Sequence, residues 1–113
     1  NNYANNDSII DRNVLSVNYV DPTTIIEEKL CDLVQSFLGY NKIGVLDNFF
    51  EIGGDSLKAM TLIKRVNKSF EIELNIQDFY STPNIKEFSE QIELSIKLIK
   101  LQEKSSGKNT III

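Results

Sequence analysis

The stretch DNFFEIGGDSL, residues 47–57, places two adjacent glycines before an aspartate and a serine. Two glycines in a row let the backbone adopt positive φ angles at little cost, so the chain can turn sharply at Gly53 and Gly54. Apolar residues then recur at helical spacing. The stretch therefore predicts a sharp turn into a helix over residues 56–70, with Ser56 exposed at its start.

Three further helix starts are marked by a capping residue followed three positions later by an acid. These pairs are Thr24 with Glu27, Asn75 with Asp78, and Asn84 with Glu87. The predicted helices run from Thr24 to Leu38, where Gly39 can stop the helix, from Ile76 to Tyr80, and onward from Asn84. We predict an all-α fold: a small four-helix bundle of three main helices and one short helix, with a long loop between the first two helices.

The main helices each carry an apolar stripe that predicts a buried face. One shared core is expected from Ile26, Leu30, Ala59, Ile63, Val66, Phe88 and Ile92. On the helix of residues 56–70, Leu57 and Met60 project to one side of the stripe, nearer Ser56, with Lys64 on the same side. These three residues are candidates for partner contact, although Leu57 and Met60 could instead edge the core.

Composition divides the chain into three segments. Residues 1–20 are rich in Asn and lack a sustained helical stripe, so we interpret them as a linker that is ordered only in a longer polypeptide. The folded domain is predicted over residues 21–93. Residues 94–113 are expected to form a helix extension and a flexible tail, which begins at Ser105.

Residue counts exclude several classes of function. The chain has 113 residues, a net charge of -4 and only two widely separated arginines, Arg12 and Arg65, so nucleic acid is not an expected partner. It contains no histidine, the usual general base and zinc ligand, and its single cysteine, Cys31, cannot form an internal disulfide or a cysteine-rich metal site. No segment is long and apolar enough to span a membrane, and no secretory signal is visible. We expect a cytoplasmic protein without a metal site, in which Cys31 packs as a small apolar residue.

The stretch Asp47–Leu57 closely resembles the core motif of peptidyl carrier proteins, the thiolation domains of nonribosomal peptide synthetases. The segments Lys42–Val45 and Phe79–Ile85 also resemble that family, so the likeness covers about residues 21–93. It implies that Ser56 receives 4'-phosphopantetheine from coenzyme A through a separate magnesium-dependent phosphopantetheinyl transferase. It also implies that Gly53, Gly54 and Asp55 form the motif around the attachment site.

The resemblance further implies a carrier without catalytic residues, which delivers aminoacyl or peptidyl thioesters to other domains. The implied partners are an adenylation domain and condensation, epimerisation or thioesterase domains. Asp11–Leu15 resembles the end of an adenylation domain, with Ile9 where that family usually has a catalytic lysine. Within the carrier family, Asp at position 55 in place of His is associated with a following epimerisation domain.

Other interpretations remain open at this stage. The helix of residues 56–70 is basic, unlike the acidic recognition helix of many fatty-acid carriers, but an acyl carrier of a polyketide or hybrid pathway is an alternative. In an unmodified helical interaction module, Ser56 would be only a helix N-cap. The string Gly54–Leu57 also matches the GDSL signature of serine esterases, but such enzymes need a base, usually His, which this chain lacks. Phe49 and Phe50 are interpreted as core anchors of the long loop.

Overall fold

The computed structural model describes the backbone of residues 9–15 and 17–112, and the side chains of residues 9–15 and 17–103. The described chain contains four α-helices, which are α1 (Ile25–Leu38), α2 (Ser56–Phe70), α3 (Ile76–Ser81) and α4 (Ile85–Ile112). Over these residues no strand forms beyond two isolated bridges. The predicted all-α bundle of three main helices and one short helix is confirmed.

The helix starts follow the predicted caps. In α1 the Glu27 N–H donates to the hydroxyl of Thr24 at 3.1 Å, and the Thr24 N–H donates to the Glu27 carboxylate at 3.2 Å. In α3 the same reciprocal pair joins Asn75 and Asp78. Gly39 ends α1 in the left-handed conformation at φ 81°, as predicted for a helix-stopping glycine. Local sequence therefore determines where these helices begin and end.

One core joins the helices and the long loop. Helix α1 packs on α2 and α4, and α3 packs between α2 and α4. Of the predicted core residues, all but one are buried, and Ile26 is half-buried against the same cluster. The long loop adds Phe49 and Ile52 to the core, and α3 adds Phe79. The loop before α2 is therefore a packed part of the domain.

The described part of the N-terminal segment packs against the helical domain, upstream of the boundary predicted near Asp21. Arg12, in a short 3₁₀ turn, is buried and forms a bidentate ion pair with the buried carboxylate of Asp47, with one N–O distance of 2.8 Å. The backbone of Ile10 pairs with Gly39 and Asn41 on the end of α1. Residues 1–8 of the predicted linker lie outside the described residues.

The C-terminal helix is longer than the sequence predicts. The extension beyond Ile92 is present, but the helical backbone continues to Ile112, through the segment from Ser105 that we expected to be a tail. No proline interrupts this segment, so every residue keeps the backbone N–H that a helix needs. Among the described helices, none combines the length and apolar character that would be required to cross a membrane.

We expect that shortening a core side chain will destabilise the domain. Leu30 is fully buried and Ile63 nearly so, and Leu30→Ala or Ile63→Ala should each lower the free energy of unfolding by about 2–5 kcal/mol. Urea denaturation followed by circular dichroism measures this change. The control Leu94→Ala, at a side chain that is 54% exposed, should change it by less than about 0.5 kcal/mol. Core variants that unfold like the control would contradict the described packing.

Removal of Arg12 should also destabilise the domain strongly. Arg12→Ala leaves the buried Asp47 carboxylate without its cationic partner, which typically costs about 3–5 kcal/mol. The control Lys97→Ala removes an exposed ion pair with Glu93 and should cost at most about 0.5 kcal/mol. The same denaturation measurement applies. If both variants have the same free energy of unfolding, the N-terminal segment does not stabilise the domain and acts as a linker.

Candidate functional site

Phe49 fixes the loop that leads to Ser56. Its side chain is fully buried, and its ring packs edge-to-face on Phe79 of α3 with centroids 5.0 Å apart. Its backbone N–H donates to the Pro83 carbonyl at 3.0 Å, in the turn between α3 and α4. The interpretation of Phe49 as a core anchor is confirmed. The ring of Phe50 packs edge-to-face against that of Phe49, with centroids 5.4 Å apart.

The two glycines make the turn for different reasons. Gly53 has φ 113°, a conformation that side chains with a Cβ rarely adopt, and the space around its missing Cβ is open to 4 Å. Gly54 lies against Phe49, where an added Cβ would be only 2.2 Å from the aromatic ring. Its N–H donates to the Phe49 carbonyl at 2.9 Å. The backbone conformation therefore requires a glycine at position 53, and close packing against Phe49 requires one at position 54.

Asp55, rather than Ser56, is the N-cap of α2. The Asp55 carboxylate accepts the N–H of Lys58 at 2.8 Å, so it satisfies one of the free amides of the helix start. Ser56 is the first helical residue. The alternative that Ser56 is only an N-cap is therefore wrong, because Asp55 fills that position. The Lys58 ammonium donates to the Gly53 carbonyl at 3.2 Å and brings a cation to the same turn.

The Ser56 side chain is exposed, and its hydroxyl lies 2.6 Å from the phenol oxygen of Tyr80 on α3. No pattern in the sequence pointed to Tyr80 as a site residue. The two residues are 24 positions apart, and no cap or helical spacing links them. The only available signal was a second aromatic residue directly after the buried Phe79 on a short helix.

The predicted partner-facing residues lie on the surface. Leu57 is 76% exposed and Met60 is 52% exposed, so neither edges the core. Lys64 is also exposed. Leu57 and Met60 are three positions apart on α2, so their side chains lie on the same face of the helix, in the first turns after Ser56.

The start of α2 fits a flexible anionic group attached to Ser56. The hydroxyl is exposed, and the neighbouring Gly53 leaves open space instead of a side chain. A helix start also offers free amides and the positive end of the helix dipole, which favour an anion by about 0.3–1 kcal/mol at exposed sites. The Asp55 carboxylate opposes such an anion, although its bond to Lys58 already occupies one of its oxygens.

Cys31 is not part of this site. Its thiol is buried, and burial together with the nearby carboxylates, Asp32 first, raises the pKa of Cys31 to about 12. A thiol with so high a pKa is a poor nucleophile at neutral pH. This agrees with the interpretation of Cys31 as a small packed residue. Within the described part of the chain, no three His, Cys, Asp or Glu side chains lie together as a metal site requires.

The chain matches a family of known domains. Residues 28–92 match the family model described as the phosphopantetheine attachment site. A segment of 74 residues is 50% identical to gramicidin S synthase 2 of Brevibacillus brevis. That match covers 66% of this chain but only 2% of the synthase.

Two solved structures have the same fold at substantial sequence identity. A peptidyl carrier protein in complex with the phosphopantetheine transferase Sfp and coenzyme A aligns with a TM-score of 0.65 and 38% identity, over 67% of this chain and 99% of that chain. The solution structure of a prototype peptidyl carrier domain of modular peptide synthetases aligns with a TM-score of 0.60 and 40% identity, over 66% of this chain and 99% of that chain.

Proposed function

This chain belongs to the phosphopantetheine attachment-site family, and we propose that Ser56 is the residue to which the 4'-phosphopantetheine arm is attached. One observation carries the assignment: the Ser56 hydroxyl is exposed in the first turn of α2, directly after the Gly53–Gly54 turn. The sequence contains a double glycine only there. Coenzyme A is the source of the arm, and a phosphopantetheinyl transferase is the proposed modifying enzyme.

The residues around Ser56 fix the base of the arm and leave its far end free. The buried Phe49 and the close packing of Gly54 hold the turn, and the Asp55 cap holds the start of α2. When bound, the arm supplies a thiol that holds an acyl group as a thioester. The chain itself contributes a fixed point of attachment, and in this role it is a carrier rather than a catalyst.

The carried group and the partners follow from the homology to peptidyl carrier domains. We propose that the domain tethers aminoacyl or peptidyl groups and delivers them to adenylation, condensation, epimerisation or thioesterase domains. Leu57, Met60 and Lys64 are proposed to contact these partners, because they are exposed on the helix that begins with Ser56. A carrier that visits several enzymes benefits from a small shared apolar patch, in which Met can repack against each of them.

The alternatives have less support. An acyl carrier of a polyketide pathway would share the fold, but gramicidin S synthase 2 and the prototype peptidyl carrier domain, to which this chain is similar, belong to peptide synthesis. An unmodified interaction module would not need a serine exposed after a glycine turn.

We place the domain in the cytoplasm, because its single cysteine is suited to a reducing compartment.

Ser56→Ala should abolish modification. Incubation of the wild-type chain with coenzyme A and a broad-specificity phosphopantetheinyl transferase should add the mass of one phosphopantetheine, since only Ser56 has the required position. Intact-mass spectrometry measures the addition. The matched control Ser69→Ala removes an exposed serine near the end of α2 and should be modified as fast as wild type. Addition to the Ser56→Ala variant would refute the assignment.

Met60→Glu should impair recognition without unfolding the domain. Because Met60 is half exposed, the melting temperature should stay within a few degrees of wild type. The charge should lower the catalytic efficiency of modification, or of loading by an adenylation domain, by about fivefold or more if Met60 lies at the contact. Leu94→Glu, at an exposed position on α4, serves as the control. If Met60→Glu and the control act alike, the contact surface lies elsewhere.

A further inference from the structure

Tyr80 is the side chain of α3 that reaches the proposed attachment residue. Its phenol oxygen lies 2.6 Å from the Ser56 hydroxyl oxygen, a normal distance for a hydrogen bond between two hydroxyls. The contact joins α3 to the first turn of α2. Neither partner is buried, so core packing does not impose it.

The ring of Tyr80 is held in place although it is 46% exposed. It stacks on Phe50 with centroids 5.1 Å apart and an angle of 10° between the ring planes. Phe50 in turn packs against Phe49 and Phe79, which lie in the core. A stacked ring loses part of its freedom before any ligand is present, so its hydroxyl stays near Ser56 at little further entropic cost.

We propose that Tyr80 is a positioning residue for attachment: its hydroxyl orients the Ser56 hydroxyl and then donates a hydrogen bond to the phosphodiester that replaces it. This inference rests on the proposed role of Ser56. It adds a second residue of this chain, on a different helix, to the site.

The chemistry of attachment decides the direction of the hydrogen bond between Tyr80 and the Ser56 oxygen in the modified protein. Attachment forms a bond from the Ser56 oxygen to a phosphorus of coenzyme A, breaks the phosphorus–oxygen bond to the adenosine bisphosphate leaving group, and releases the hydroxyl proton. The serine oxygen then carries no proton and can only accept. Tyr80 must therefore be the donor after attachment.

A hydrogen bond donated by Tyr80 to the Ser56 oxygen also suits the attachment reaction. If Tyr80 donates to the Ser56 oxygen, the serine proton points away from Tyr80 and is accessible to a base on the transferase. A donor at that oxygen also stabilises the negative charge that develops as the proton leaves. With Tyr80 as the donor before attachment as well, a hydrogen bond of the same direction serves both the unmodified and the modified states.

Tyr80 also supplies a hydrogen-bond donor, which the Asp55 carboxylate cannot. The Asp55 carboxylate is an acceptor that repels a phosphodiester, and it already accepts the Lys58 N–H. The phenol of Tyr80 offers one O–H donor. It can therefore face an anion that the neighbouring carboxylate disfavours.

Tyr80→Phe tests the inference, because it removes only the hydroxyl and keeps the ring that stacks on Phe50. The initial rate of modification by the transferase should fall about three- to tenfold, the usual effect of one lost hydrogen bond. After full modification, the phosphorus-NMR shift of the phosphodiester should move toward that of the same protein unfolded in urea. The control Ser81→Ala removes a neighbouring hydroxyl of α3 that bonds to the Gln77 carbonyl, and it should match wild type in both measurements.

The outcomes separate this inference from the proposed function. A slower rate together with a shifted phosphorus signal in Tyr80→Phe, with Ser81→Ala unchanged, supports the role of Tyr80. If Tyr80→Phe behaves like Ser81→Ala in either measurement, the role is refuted, while modification of the wild-type chain still supports Ser56 as the attachment residue. Failure of the wild-type chain to be modified refutes the proposed function itself.

Discussion

The burial of Phe49 is the constraint on which the site depends. Its ring lies in the core and leaves no room for a Cβ at Gly54, while its backbone bonds to Pro83 and to Gly54 itself. One residue therefore connects the long loop, the turn before α2 and the connection between α3 and α4. The loop has no regular secondary structure, so the buried Phe49, together with the buried Ile52, holds the turn that leads to Ser56.

Features that depend on neighbouring residues could be predicted from the sequence. The Thr24 and Asn75 caps and the Gly39 stop act within a few positions, so short patterns locate the helices almost to the residue. The apolar stripes likewise identify the core, since helical spacing fixes which face a residue occupies. The position of Ser56 in the first turn of α2 follows from the same local information.

Contacts between distant residues could not be predicted in this way. Arg12 and Asp47 are 35 positions apart, and a lone arginine in an Asn-rich segment has the same local pattern whether it is solvated or buried. The Ser56–Tyr80 contact depends on how α3 packs against α2, which the stripe of a six-residue helix does not specify. Local patterns locate most of the helix boundaries here, but they do not specify which polar side chains meet between the helices.

The N-cap role of Asp55 gives a structural reason for the aspartate at position 55, a residue that the family resemblance links to the identity of the next domain. The resemblance associates Asp before the serine with a following epimerisation domain, yet in this fold the Asp55 carboxylate caps α2. Asp is among the preferred N-cap residues, so the helix start favours it whatever domain follows. The identity of residue 55 alone therefore says little about neighbouring domains. That information is better sought in exposed residues such as Leu57 and Met60, because the core does not require them.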